Sequence, residues 1–140
     1  MPIRAARVDD LDAVTAFLQP FVEKQHVLDR TADELAFLLS TSFVAEEAGQ
    51  LVGFVTLEIY SHKLAEIRSL AVAPAAQGRG LGQQLVEACV AKARDKDIYE
   101  VMAVTSAEEL FSRVGFDAAL PNQKKAVFLQ TGQPEPPSRV

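Results

Sequence analysis

Gln77-Gly78-Arg79-Gly80-Leu81-Gly82 places three glycines between an apolar run and a helical pattern, and this junction decides how the chain folds. The run Ile67-Arg68-Ser69-Leu70-Ala71-Val72 reads as a strand ended by Pro74, while Leu85, Val86, Cys89 and Val90 recur at helical spacing. The glycine loop therefore opens a helix. Backbone N–H groups at a helix N-terminus are unpaired and lie at the positive end of the dipole, and glycines let that backbone approach a bulky anion such as a pyrophosphate. A Walker loop would need Lys and then Ser or Thr after its last glycine, where this chain has Gln83-Gln84. A dinucleotide fingerprint would need G-x-G-x-x-G directly after a first strand, whereas this run is G-x-G-x-G and lies past mid-chain. A turn that merely caps a helix stays open as the simpler reading of the glycines alone.

Working outward, Ile3 to Ala6 reads as a first strand, and Asp9 or Asp10 can cap a helix carrying Leu11, Val14, Phe17 and Leu18 that Pro20 should stop. Phe21 to Leu28 reads as a second helical stretch, and Thr31-Ala32-Asp33-Glu34 is a capping box ahead of Leu35, Leu38 and Leu39. Phe43 to Glu46 and Leu51 to Tyr60 form a hairpin pattern about Ala48-Gly49-Gln50, with Leu51, Gly53, Val55, Leu57 and Ile59 on one face. Ser61-His62-Lys63 leads into the strand that carries Glu66, and the helix after the glycines should run to about Lys96. Glu100 to Val104 reads as a strand and Ala107 to Arg113 as a short helix; Phe116 onward and Ala126 to Gln130 are expected to give the last two strands. One domain over 1–130 is expected, with 131–140 a disordered tail.

The composition narrows the function. With 140 residues, 49% of them hydrophobic, the chain can bury a real core, and its formal net charge of −5 argues against nucleic acid or an anionic membrane as partner. A lone Cys89 permits no internal disulfide, no apolar run approaches membrane-spanning length, and Met1-Pro2-Ile3-Arg4 lacks a signal-peptide core, so a cytoplasmic protein is expected. His26 and His62 lack the spacing of a ligand set, and no metal is expected. Cys89 at helical spacing from Leu85 reads as core rather than nucleophile.

The stretch Leu64-Ala65-Glu66-Ile67-Arg68-Ser69-Leu70-Ala71-Val72-Ala73-Pro74 followed by Gln77-x-x-Gly80-x-Gly82 resembles the acetyl-CoA site of the GNAT acetyltransferase superfamily, whose Q/R-x-x-G-x-G/A signature it matches in full. Downstream, Glu109-Leu110-Phe111-Ser112-Arg113-Val114-Gly115-Phe116 resembles that superfamily's last helix and following strand. The resemblance is strongest between 64 and 117, and its phrasing is closest to N-acetylglutamate synthase-type domains. It implies an α/β (α+β) domain in which a mixed, mostly antiparallel sheet is flanked by helices. It also implies acetyl-CoA as co-substrate, a small-molecule amine as acceptor, and room for a homodimer.

The same resemblance assigns roles. Glu66 would be the general base, a backbone N–H near Leu70 the oxyanion donor, and Leu70, Ala71 and Val72 would line the pantetheine arm. Gln77, Gly78, Arg79, Gly80, Leu81, Gly82 and Gln83 would wrap the pyrophosphate, with Arg79 adding a charge-assisted contact. Phe111 would pack on the cofactor, but it stands where many relatives carry a proton-donating Tyr; Thr105, Ser106 or Ser112 would substitute, or the thiolate would leave unaided. Val104 stands where many relatives place a pantetheine-binding Asn. The synthase-like phrasing points to glutamate, held by Arg30 with Arg68 and Lys63 as further cations; polyamines, aminoglycosides and protein N-termini are the other acceptors. The residues alone leave blander readings beside these: Glu66 paired with Arg68, Arg30 and Arg79 solvated, and Glu58 facing water. A non-catalytic acyl-CoA-binding module is the alternative from another functional class.

Overall fold

The hydrophobic alternation of the central strands fixes a sheet with two unequal faces, and the computed structural model describes it through residues 2–118, 122 and 124–132. Strands β1 (Ile3–Ala5), β2 (Ser42–Glu47), β3 (Gln50–Ile59), β4 (Leu64–Val72) and β5 (Glu100–Met102) lie in the order β1-β2-β3-β4-β5. All neighbours are antiparallel except β4 and β5, which are parallel. The β2–β3 connection falls at the expected hairpin, where Ala48 and Gly49 both take positive φ as a tight two-residue turn requires. Helices α1 (Leu11–Glu23) and α2 (Ala32–Leu38) precede β2, α3 (Leu81–Asp95) crosses from β4 to β5, and α4 (Glu108–Val114) follows β5. The mixed sheet with flanking helices is the architecture the sequence implies.

On one face of the sheet, Val55, Leu57, Ala65 and Ile67 pack with Leu85, Val86, Cys89 and Ala93 of α3 and Phe111 of α4. Their burial is the main stabilising contribution, each large apolar side chain adding about 1.5–3 kcal/mol. Burial also pushes the Cys89 thiol far up, so it serves as core and not as a nucleophile. On the other face, Val14 and Leu18 of α1 and Leu35 of α2 meet Val44, Phe54 and Ala71. The Thr31 capping box forms as its spacing predicts: Glu34 N–H donates to Thr31 Oγ1 at 3.1 Å and Thr31 N–H to Glu34 Oε1 at 2.8 Å.

Three local expectations need correction. Pro20 does not stop α1, which runs on to Glu23; a proline forfeits only its own amide, and Phe17 stacks on Phe21 at 5.3 Å to hold the last turn in place. Residues 21–28 accordingly form no separate helix: the chain turns at Gln25, whose φ is +62°, and becomes extended before α2. Asp10 does not cap α1 with its side chain. It accepts from Arg4 at 2.8 and 2.9 Å and from the Arg7 N–H at 2.6 Å, tying β1 to the start of α1, while Arg4 also donates to Glu46 on β2.

The expected last two strands are not seen among the described residues. Residues 116–118 and 124–130 carry no strand, and Val127, Phe128 and Leu129 are exposed. Strand β5 is three residues long, shorter than the 100–104 expected, and offers few ladder bonds for a further strand. Residues 119–121, 123 and 133–140 lie outside the described residues, and with them all of the expected disordered tail except 131 and 132.

Candidate active site

A bulge in β4 organises the site. Phe54 pairs with Ala71 but Thr56 pairs with Arg68, so Ser69 and Leu70 together oppose Val55 alone. Ser69 takes φ +58°, the left-handed conformation that an inserted residue needs. One extra residue reverses which face each later side chain meets. Glu66 and Arg68 therefore share a face with Ala71, while Ile67 packs with Leu70 and Val72 on the α3 side. The β4–β5 ladder runs from Leu64–Glu100 to Glu66–Met102, and β4 continues to Val72 beyond it. β5 ends at Met102, so the backbone of the bulge has no β5 partner.

The glycine loop follows β4 and opens α3. Gly80 is the N-cap of α3 at φ +80°, Gly78 has φ +82°, and a Cβ built on either would meet no atom within 4 Å. The backbone of both is thus bare toward the space an anion would occupy, and an L side chain would both fill that space and strain the turn. Leu81, Gly82 and Gln83 form the first turn of α3, whose N–H groups have no partner within the helix. Gly82 is packed instead: a Cβ there would sit 3.0 Å from Leu110 Cδ1 of α4. The Gln77 side chain folds back to donate to the Val72 carbonyl at 3.1 Å, fixing the loop to the end of β4. Arg79 is bonded to Glu47 at 2.8 Å, so it is neither loose nor yet directed at the loop. Phe111 is 3% exposed, part of the core, and packs edge-on against Phe116 at 5.2 Å.

On the opposite face, alternation along β3 brings Thr56, Glu58 and the following Tyr60 beside Glu66 and Arg68 of β4. Glu58 is opposite Glu66 in register. Its Oε1 accepts from Arg68 at 3.1 Å, and from Arg30 of the α1–α2 connection at 3.5 Å. Glu58 thus does not simply face water, and Arg30, with a side chain only 11% exposed, is not a solvated loop residue. Lys63 is exposed in the β3–β4 turn and stays outside this group. Two buried guanidinium Nε atoms, of Arg30 and Arg68, and the Thr56 hydroxyl have no hydrogen-bond partner among the described residues. Buried polar groups left unmet are uncommon.

Glu66 is 2% exposed, and Tyr60 Oη donates to its Oε1 at 2.8 Å. Burial and then the Glu66 contact push the Tyr60 hydroxyl up, so that it stays protonated and able to donate at neutral pH. Tyr60 lines a cleft of about 570 Å³ with Arg30, Glu58, Phe37, Asp33 and Glu34. Sequence reasoning missed Thr56 and Tyr60 as site residues. The signal was present: both lie two residues from Glu58, on the polar side of a strand whose other side is Val55-x-Leu57-x-Ile59.

A crossover helix opened by glycines, and a parallel strand pair whose ladder ends beside a buried carboxylate, characterise this α/β domain. The sequence profile of the Acetyltransferase (GNAT) family matches residues 11–116, and the chain belongs to that family. It is an acetyl-CoA-dependent N-acetyltransferase, with acetyl-CoA as its co-substrate. Among relatives, it is 32% identical to an uncharacterized N-acetyltransferase of Chlorobaculum tepidum, over 81% of this chain and 74% of that protein. It is also 32% identical to an amino-acid acetyltransferase of Mycobacterium tuberculosis, over 81% of this chain and 67% of the relative. The structure of N-acetylglutamate synthase from Neisseria gonorrhoeae complexed with coenzyme A and N-acetyl-glutamate superposes with a TM-score of 0.73 at 32% identity. That match covers 82% of this chain but 28% of the synthase chain. No helix among the described residues is long and apolar enough to cross a membrane.

Proposed function

We propose that the acceptor is the amine of a small amino acid bearing a carboxylate, glutamate first, acetylated in the cleft lined by α2, the end of β3 and Arg30 of the α1–α2 connection. The observation that carries this reading is the pair of buried guanidinium groups, Arg30 and Arg68, each with an unpartnered Nε on the same face as Glu66. A planar guanidinium fork matches a carboxylate in two bonds, and a buried one gains most from it. The name of the gonococcal relative supports glutamate, although this chain spans little more than a quarter of that protein. A cytoplasmic enzyme working on free metabolites goes with the same reading, and a homodimer is compatible with it.

In this scheme the carboxylate of Glu66 takes the proton of the bound ammonium, either directly or through one water, and so frees the lone pair for attack. Backbone N–H groups at the Ser69–Leu70 bulge stabilise the negative charge that develops on the reacting carbonyl oxygen. Leu70, Ala71 and Val72 present strand edge to the amide-containing arm of the co-substrate. Gly78, Gly80 and the first turn of α3, with Leu81, Gly82 and Gln83, receive the pyrophosphate. Arg79 joins them by releasing Glu47, an exchange of one exposed pair for another charge-assisted contact.

A second reading rests on the acidic rim of the cleft. Asp33 and Glu34 lie there with Glu58, against Arg30 as the one basic side chain of the lining. Such a rim attracts an acceptor with a second cationic group, a polyamine for example. Initial rates of thiol release from acetyl-CoA with glutamate, glutamine, norvaline and spermidine separate the two. Preference for glutamate over norvaline supports the first, and preference for spermidine replaces it with the second.

A further inference from the structure

The buried base is hydrogen-bonded by a residue that the sequence did not single out. Tyr60 follows β3 directly, and its N–H donates to the Leu64 carbonyl at 3.0 Å, which anchors it at the β3–β4 turn. Its hydroxyl reaches Glu66 Oε1 at 2.8 Å, while the residue as a whole is 49% exposed and lines the cleft. Glu66 itself is 2% exposed. One residue therefore meets both the buried carboxylate and the cleft.

We propose that Tyr60 is the positioning residue and proton outlet of Glu66, orienting the carboxylate toward the acceptor and passing the acceptor's proton to water. The inference rests on the acetyl-transfer reading with Glu66 as base. The balance is simple. The acceptor's N–H bond breaks and its proton forms an O–H bond on Glu66. That proton then moves to Tyr60 Oη as the original Tyr60 hydroxyl proton moves to a water of the cleft. Glu66 is again a carboxylate, Tyr60 again a phenol, and one proton has reached the solvent. No further donor or acceptor is required.

Other charged groups near the pair are Glu58, opposite Glu66 across the ladder, and Arg68 on β4, itself held by Glu58. Arg30, Asp33 and Glu34 face Tyr60 across the cleft from the α1–α2 connection and α2. Glu58 and Arg68 offset one another in the immediate surroundings, which leaves the Tyr60 hydroxyl as the neutral donor to the base. Donation to the charged form of a carboxylate favours that form. Losing it should therefore leave the base less well oriented.

The test is Tyr60→Phe, which keeps the ring and removes the hydroxyl. The expected result is a fall in kcat of roughly 10-fold with an unchanged Michaelis constant for acetyl-CoA. A purely structural ring would leave kcat as in the native enzyme, and that outcome overturns the proposal while leaving acetyl transfer standing. A second measurement needs no variant: the proton inventory of kcat for the native enzyme in mixtures of H2O and D2O. A curved inventory, with more than one proton in flight, is expected; a linear one overturns the outlet. Absence of native turnover with every amine of the panel overturns both this inference and the functional reading beneath it.

Discussion

The two faces of the sheet are built by the same strands and do opposite work. The α3 face is apolar from end to end, with Val55, Leu57 and Ile67 against Leu85, Val86 and Phe111. The α1–α2 face is divided. Where the helices cover it, Val44, Phe54 and Ala71 form core; beyond their cover, Thr56, Glu58, Glu66 and Arg68 form a polar patch that ends in the cleft. The boundary between the two halves is the Ser69–Leu70 bulge, which lies between Arg68 and Ala71. A strand can thus be half scaffold and half site on one face, provided that something resets the parity of its side chains between the halves.

The glycine loop that hangs from the all-apolar face should be the least tolerant of change. Gly80→Val places a side chain where no atom now stands within 4 Å, at a φ of +80°. The domain should still melt cooperatively, since the strain is about 1–2 kcal/mol at one residue. Acetyl-CoA affinity measured by calorimetry should fall by roughly 100-fold or more, the worth of two charge-assisted bonds to phosphate. Unchanged affinity in the folded variant would remove the anion-binding role of the loop.

On the divided face, Glu66→Gln is expected to lower kcat by roughly 100-fold at neutral pH with acetyl-CoA affinity intact. Stopped-time assays of thiol release across pH check it, and a variant as active as the native enzyme would show that water alone handles the amine proton. Far from both sites, Asp10→Asn should separate stability from chemistry. The Arg4 guanidinium, assisted by the Arg7 N–H, holds the Asp10 carboxyl down at about 2 against the opposing effect of burial. Its folded value lies below the ordinary 3.8, so the stabilisation is fully present above about pH 4 and is lost as pH falls toward 2. Urea unfolding at pH 7 should show Asp10→Asn less stable by about 2 kcal/mol, with the gap to the native protein closing at pH 3 and below and kcat unaffected. A gap that stays constant across this range would remove the linkage.

The smallest effect is expected at the cleft. Arg30→Ala should raise the Michaelis constant for glutamate roughly 10-fold without altering acetyl-CoA affinity, because one substrate carboxylate loses its charged partner. Arg30→Lys should restore only part of it, since an ammonium lacks the planar fork. Wild-type kinetics in Arg30→Ala would make Arg30 a counter-ion of Glu58 and no more.

How much was legible differs between the two faces for a physical reason. The α3 face was written in short-range patterns: Pro74 ending a strand, glycines opening a helix, and Leu85, Val86 and Cys89 returning each turn. The capping box at Thr31 and the hairpin at Ala48-Gly49 were legible on the same grounds, each being complete within four residues. Pro20 misled because a helix that is packed along one side tolerates the loss of a single amide. The strand expected at 126–130 misled because apolar, β-favouring residues form a strand only where a sheet edge accepts them.

By itself, the sequence determined the class of domain and the place of the glycine loop that opens α3, since each is carried by neighbouring residues whose geometry is set locally. Only the tertiary structure decided that Glu58 joins Arg30 and Arg68 across separations of 28 and 10 residues, that Tyr60 closes on Glu66, and that Phe111 is core. Those relations depend on the register of β3 against β4 and on one inserted residue at Ser69–Leu70. A shift of one residue there would turn the later side chains to the other face while leaving every local pattern of the sequence unchanged.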